Sequence, residues 1–458
     1  AILITGRAMG SPVNRKNRWR WTLDSKIVGL ALLSRVVILS LSVLMDLILP
    51  DHQPDASVAR PENLELPHWL MAFTRWDAAH FLNIANLGYQ EEKDFAFFPL
   101  LPIAINAVAC TLHAMRLSWS LSLLFAGLFI ANGSFVLSAW LLFRLGLASL
   151  QDHVLAFNAA RLFCLCPANI FLSTIYTESP FAACTFGALL LLHLDYFYLS
   201  AAVFAIGSGL RSNGLVNIGF LCFHVLLSTL KQLRQGDSSY GVLRATFRLV
   251  AGTVIVLLPF FAFQAFAVWK ECGRVEAAGQ MSTCEDIHEQ CTVSAEPDLP
   301  LWCQSGIPSA YSHIQAKYWQ GGFLRYWQLK QIPNFLLAAP SLILTAAGVS
   351  YLLIDFFKEL QKGSKKPIKL WISTYLALLR CPLFPHAIHW GFLAMYVFFC
   401  ANVQISTRLL ASACPVFHWF LASIVFDRNQ YCRPFLKLYI GIYNLLGIIM
   451  HVNFLPWT

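Results

Sequence analysis

Apolar runs of twenty or more residues recur along almost the whole chain, separated by short polar or basic segments. A helix needs about 20 consecutive apolar residues to cross the hydrocarbon core of a bilayer. Such runs stand at residues 27–49, 95–117, 119–145, 154–175, 180–199, 201–230, 249–269, 335–357 and 436–454, while 370–426 holds two long spans or three short ones around Cys381-Pro382-Leu383-Phe384-Pro385. The pattern predicts an all-α polytopic membrane protein with roughly ten to twelve transmembrane helices. One integral membrane domain, 27–458, follows a polar N-terminal segment, 1–26. A transmembrane β-barrel is excluded, because its strands alternate over about 10 residues, whereas Phe181–Leu194 is continuously apolar. The first run also exceeds a signal-peptide core of about 7–15 residues and reads as a retained span.

Charge orients this array. Arg15, Lys16, Arg18, Arg20 and Lys26 precede the first span and place the N-terminus in the cytosol by the positive-inside rule. Residues 50–94 then form a first luminal loop. Basic clusters at Lys231, Arg234, Arg244 and Arg248, and at Lys358, Lys362, Lys365, Lys366 and Lys369, mark later cytosolic loops. Between them lies a large luminal loop, 270–333, acidic in its first part. Its second part, Ile314–Trp327, is rich in Trp, Tyr and basic residues, as suits a segment lying on a membrane surface. The net charge of +9 is therefore a topology signal and not a nucleic-acid footprint.

Composition agrees. The chain is 57% hydrophobic and only 12% charged, against about 25% charged in globular domains. Most cysteines lie in apolar runs, but Cys272, Cys284, Cys291 and Cys303 share the large polar loop. Their spacing lacks a Cys-x-x-Cys zinc knuckle, so disulfides, in one of three pairings, or free thiols are expected. Disulfides would require an oxidising compartment.

Chemistry concentrates at a few places. In Thr74–Ala85, helical spacing puts Asp77, His80, Phe81 and Ile84 on one face. Trp76 and Phe81 there suit the headgroup level. The carboxylate and imidazole either serve chemistry or merely cap an interfacial helix. Glu178 sits at the junction of two spans; Arg211, in Ser208-Gly209-Leu210-Arg211-Ser212-Asn213-Gly214, and Arg408 interrupt apolar runs. Ionisable groups at membrane depth are functional candidates, and a guanidinium matches a phosphate bidentately. His386 and His389 are expected to be buried structural groups, and the sequon Asn132-Gly133-Ser134 lies in an apolar run where glycosylation is not expected. Arginines to hold a lipid-linked phosphate and one carboxylate to take a proton are the parts that inverting glycosyl transfer needs. A proton-coupled transporter or lipid scramblase would use the same residue types, and a non-catalytic scaffold is a third reading.

Arg75-Trp76-Asp77-Ala78-Ala79-His80-Phe81, followed by Ala96-Phe97-Phe98-Pro99-Leu100-Leu101-Pro102, resembles the GPI mannosyltransferase II family. So do Tyr176-Thr177-Glu178-Ser179-Pro180, Gly209–Gly214, Ile314-Gln315-Ala316-Lys317-Tyr318-Trp319, Leu329–Leu336 and Arg408–Ser412, in order along most of the chain. The resemblance implies a GT-C type glycosyltransferase of the ER membrane that adds the second, α-1,6-linked mannose to a glycosylphosphatidylinositol (GPI) precursor from dolichyl-phosphate mannose. It implies Asp77 as general base, with Trp76 and His80 as shapers of the site; Glu178, Arg211 and Arg408 carry over only as motif members, and their chemistry makes them, with Asn213, Gln315 and Tyr318 of the same motifs, substrate-binding candidates. No metal or cofactor and no nucleic acid is implied. The implied partners are the lipid donor, the lipid acceptor and the membrane, with room for a small accessory subunit.

Overall fold

The computed structural model describes residues 13–52, 63–235, 239–280, 301–304, 309–364, 370–427, 431–455 and 457. The described residues form α-helices and short 3-10 turns, with no strand. In chain order the helices are α1 (Val13–Ile48), α2 (Asp77–Leu87), α3 (Leu100–Ala114), α4 (Trp119–Leu150), α5 (His153–Phe163), α6 (Glu178–His193), α7 (Phe197–Leu210) and α8 (Ile218–Arg234). They continue as α9 (Ser239–Gln280), α10 (Ala310–Trp319), α11 (Ile332–Ser364), α12 (Leu370–Arg380), α13 (Phe384–Cys400), α14 (Ser406–Ala413), α15 (Pro415–Val425) and α16 (Arg433–Val452).

The all-α polytopic class stands, with a smaller number of full spans than expected. Among the described residues six helices are long and apolar enough to cross a membrane, or up to eight if two bent pairs each count as one. Those pairs, Thr374–Arg380 with Phe384–Cys400 and Val403–Ala413 with Pro415–Val425, turn by 85° and 91° at their breaks. Three expected spans are cut short for local reasons. The run 154–175 stays helical only to Phe163, after which Cys166-Pro167 opens a series of buried turns; proline lacks an N–H and pushes the preceding residue out of the helical region. The run 95–117 becomes helical only after Pro99, leaving the 15-residue α3, which is about 22 Å long against a core of about 30 Å. The run 201–230 breaks at Arg211, between α7 and the 3-10 turn Ser212–Asn217 that leads into α8. Gly214 permits this break: a Cβ there would stand 2.6 Å from the backbone nitrogen of Ser208, so only glycine lets the chain fold back on the last turn of α7.

The centre is built on α4, which packs against α1, α3, α5 and α6, while α6 continues through α7 to α9. One apolar cluster runs through these helices. Their outer faces carry Leu33, Val36, Phe129, Phe247, Leu258 and Phe261 exposed, as a lipid-facing surface requires. Midway along α1, Arg35 is buried: its guanidinium donates to the carbonyl and Oδ1 of Asn169 and to the hydroxyls of Ser34 and Ser173, and lies over the Phe135 ring. It thereby ties α1 to the turns at 164–177. Asn132, within α4, donates to the carbonyls of Leu128 and Ser173, so the sequon is a packed helical segment. Cys272 is disulfide-bonded to Cys303, joining α9 to the 3-10 turn Leu301–Gln304; Cys284 and Cys291 lie outside the described residues.

Candidate active site

Asp77 opens α2, as the helical spacing around it predicted. The residue before it, Trp76, has φ 58°, a left-handed value that costs a bulky residue of the order of 1–3 kcal/mol and persists only where the surroundings over-determine it. Here they do. The Trp76 indole N–H donates to the His451 carbonyl at 3.1 Å and its ring packs on Phe454, while the Asp77 backbone N–H donates to the Tyr176 hydroxyl at 3.3 Å. The Trp76 and Phe81 rings both pack on protein partners, Phe454 just beyond the end of α16 and Phe97.

Four elements bring their charges together. Arg408, on α14, donates from Nη1 to Asp77 Oδ2 at 3.0 Å and stands 3.6 Å from Glu178 Oε1. Glu178, in the first turn of α6, is 2.5 Å from Arg211 Nη1, and Arg211 also donates to the Thr177 hydroxyl. Asp77, Arg408, Glu178 and Arg211 thus form one alternating chain of charge. The Arg408 guanidinium also lies over the rings of Phe171 and Tyr176. The side chain of Glu178 is 1% exposed and that of Asp77 31%, so Asp77 is the carboxylate of the chain that a substrate can reach. Asp77 Oδ1 has no hydrogen-bond partner among the described residues.

Two cavities meet at this pair. The larger, about 790 Å³, is lined by Asp77, Glu178, Arg211, Asn213, Gln315, Arg325 and Arg408 among others. The smaller, about 420 Å³, is lined by Trp76, Asp77, His80, Tyr318, Trp319, Arg408, His451 and Trp457 among others. Every site residue named from the sequence lines one cavity or the other, and Asp77 and Arg408 line both. His386 and His389 do not; they pack against Phe220, with Trp419 beside His386, as buried structural groups.

The surroundings set the protonation of the groups at the rim. Burial pushes the His80 imidazole below its ordinary range against the pull of Asp77 and Asp94, so it is neutral near pH 7; its ring stacks on Phe97 at 4.5 Å. Burial, with the Asp77 charge adding to it, holds the Tyr176 phenol well above its usual range, and it stays protonated. Glu92, the first residue of the short 3-10 turn Glu92–Ala96, accepts hydrogen bonds from Tyr318 at 2.9 Å, Lys317 at 2.5 Å and the Trp302 indole at 3.0 Å. Burial works against its charge, but those bonds outweigh it and keep the carboxyl below its ordinary value. Glu92 therefore clamps α10, whose Gln315 and Trp319 wall the larger cavity.

Sequence reasoning missed Tyr176, Arg325 and His451 as members of the site. Arg211 and Arg408, expected to be the phosphate ligands, are both engaged by carboxylates, whereas the Arg325 side chain has no hydrogen-bond or ion-pair partner among the described residues. Its loop is pinned to the end of α13, with Gly322 and Leu324 donating to the carbonyls of Cys400 and Phe399, and Gly322 adopts φ 143°, where only glycine is at ease. A basic residue in the aromatic stretch 314–327, second to Lys317, was the available signal for Arg325; for His451 it was an ionisable group at the end of the last apolar run.

Residues 25–458 match the sequence family described as mannosyltransferase (PIG-V). The chain is similar to GPI alpha-1,6-mannosyltransferase 2 of Cricetulus griseus, 34% identical over 96% of this chain and 100% of that protein. It is 33% identical to the protein of the same name from Homo sapiens, over 96% of this chain and 100% of that one. With GPI mannosyltransferase 2 of Drosophila melanogaster it shares 29% identity, over 95% and 100%. An Archaeoglobus fulgidus oligosaccharyltransferase, solved tethered with an acceptor peptide, is a distant structural likeness: TM-score 0.41 and 13% identity, covering 92% of this chain and 55% of that longer one. The motif resemblance is borne out by a match over nearly the whole chain, and this chain belongs to the PIG-V mannosyltransferase family.

Proposed function

We propose that the protein is an inverting α-1,6-mannosyltransferase that moves mannose from dolichyl-phosphate mannose to the mannose already on a GPI precursor, at the luminal face of the ER membrane. The observation that carries this reading is Asp77: a reachable carboxylate, held by Arg408, at the wall shared by two cavities. The names of the relatives supply the acceptor and the linkage. The Cys272–Cys303 disulfide supports an oxidising side for the loop that it closes.

In this reading the donor phosphate lies in the larger cavity, where Arg325 is free to bind it, and the acceptor hydroxyl approaches Asp77 Oδ1. The hydroxyl oxygen attacks the anomeric carbon from the side opposite the phosphate. The C–O bond to phosphate breaks with its electron pair going to dolichyl phosphate, and the hydroxyl proton passes to Asp77. One base and no covalent intermediate give inversion. Arg408 and the Tyr176 hydroxyl fix the position of Asp77 so that its free oxygen meets the proton. A general base contributes about 10²–10⁴-fold.

The test is transfer to a one-mannose GPI precursor in membranes supplied with dolichyl-phosphate mannose, comparing wild type with Asp77→Asn at matched levels of folded protein. The two-mannose product should fall at least about 100-fold. Transfer at near the wild-type rate would make Asp77 structural and turn attention to Glu178. No transfer by either form would favour a transporter or scaffold.

A further inference from the structure

We infer that the smaller cavity is the subsite for the acceptor sugar and that His451 is the group that hydrogen-bonds it there. This rests on the mannosyl-transfer reading above, and three independent observations point to it.

The first is an unmet hydrogen-bonding demand. His451, on the last turn of α16, is 1% exposed and lines the cavity, yet neither ring nitrogen has a hydrogen-bond partner among the described residues. The indole nitrogen of Trp457 lines the same cavity in the same condition. Buried polar atoms without partners are rare and cost about 1–3 kcal/mol each, so a ligand that satisfies them is strongly favoured. A neutral imidazole offers one donor and one acceptor in either tautomer. A sugar hydroxyl, which both gives and takes a hydrogen bond, is its complement.

The second is the chemistry of the wall. The rings of Trp76, Tyr318, Trp319 and Trp457 provide apolar surface, and hydrogen-bonding side chains, among them His80, Asn402, Gln404 and His451, stand between them. That is the composition of a pocket that recognises a small neutral molecule with apolar faces and a fixed set of hydroxyls. Charge separates the two cavities accordingly. Arg325, without a carboxylate partner among the described residues, lines only the larger one, whereas the ammonium of Lys93 in the smaller one is paired with Glu91 at 2.6 Å. An anionic lipid phosphate is drawn to the larger cavity and a neutral pyranose to the smaller.

The third is mutual position. The Trp76 indole holds the His451 carbonyl, which locks the end of α16 to the residue preceding Asp77. A sugar bound by His451 is therefore placed in register with the base, its hydroxyl meeting at Asp77 a donor that comes from the other side.

The experiment has two arms on the full-length protein in detergent. Steady-state transfer is measured with one-mannose GPI precursor and dolichyl-phosphate mannose varied separately, for wild type, His451→Phe, His451→Asn and Trp457→Leu. A short-chain, one-mannose GPI analogue is titrated in parallel by tryptophan fluorescence, which requires no turnover. The acceptor KM and the analogue Kd should rise about 10-fold or more in His451→Phe. They should rise less in His451→Asn, which keeps one donor and one acceptor, while the donor KM stays within about twofold of wild type. If His451→Phe does not fold, the His451→Asn and Trp457→Leu values decide the question in the same way. Unchanged acceptor affinity, or a rise in donor KM instead, overturns the subsite. Wild-type protein that binds the analogue but transfers no mannose overturns the proposed function and leaves the subsite standing; failure to bind and to transfer overturns both.

Discussion

Arg35 and Arg408 are both buried guanidinium groups, and the molecule satisfies them in opposite ways. Arg35 is surrounded by neutral acceptors, the carbonyl and side chain of Asn169 and the hydroxyls of Ser34 and Ser173, under the face of Phe135. No cavity described above reaches it. Arg408 stands between the carboxylates of Asp77 and Glu178 and touches two cavities. Neutral acceptors let an arginine staple helices together in a sealed interior. Carboxylates beside open space leave charges that a substrate can use. Arg35 still serves the site at a distance, because the turns it ties down, 164–177, lead directly to Tyr176 and Glu178.

Arg408→Ala is the severest way to test that contrast. It leaves Glu178 and Asp77 without their shared partner, and breaking a buried pair in this manner costs about 3–5 kcal/mol. Mannose transfer per folded molecule should fall by about 10²–10³ as Asp77 loses its orientation, read by thermal unfolding and the transfer assay together. Arg35→Met should cost about 1–3 kcal/mol, from the unsatisfied acceptors left behind, while the rate per folded molecule stays within about twofold. A catalytic defect in folded Arg35→Met protein would break the distinction drawn here.

Arg325→Ala comes next in size. The hydrogen bonds of a charged group are worth about 1.5–3 kcal/mol, so the KM for dolichyl-phosphate mannose should rise about 10-fold or more, with the acceptor KM unchanged. If Arg211→Ala raised the donor KM and Arg325→Ala did not, the phosphate would lie within the carboxylate-bound part of the cavity.

The smallest effect belongs to Glu92. Its carboxyl titrates below the ordinary 4.5 in the folded protein, so the clamp on α10 is fully present above that value and is lost as the pH falls through the lower, folded one. Glu92→Gln should loosen α10 by less than about 1 kcal/mol, as partly exposed pairs do. Limited proteolysis across pH 3–7 should show wild type and variant differing at neutral pH and converging at the acid end.

Much of the site was legible residue by residue. Hydropathy marked the apolar runs, and the polar residues at their ends, Asp77, Glu178, Arg211 and Arg408, stood out because charge beside a membrane is costly. Arg35 escaped notice although it interrupts the first run, since a single arginine in so long an apolar stretch does not disturb its mean. His451 was overlooked for the same reason. Trp76 and Phe81 were expected at the headgroup level because an aromatic near a span end commonly lies there; their ring partners, Phe454 and Phe97, are set by packing that the local sequence does not display.

By itself, then, the sequence determined what depends on neighbours along the chain: an all-helical membrane class, a helix that carries Asp77 and His80 on one face, and a set of motif residues with the right chemistry. Tertiary structure alone decided how far each apolar run stays helical, which carboxylate each arginine serves, and that two cavities share a wall at Asp77. The physical reason is range. Hydropathy and backbone preference are sums over a few adjacent residues, whereas the contact between Arg408 and Asp77 spans 331 positions and exists only once α2, α6 and α14 have packed together.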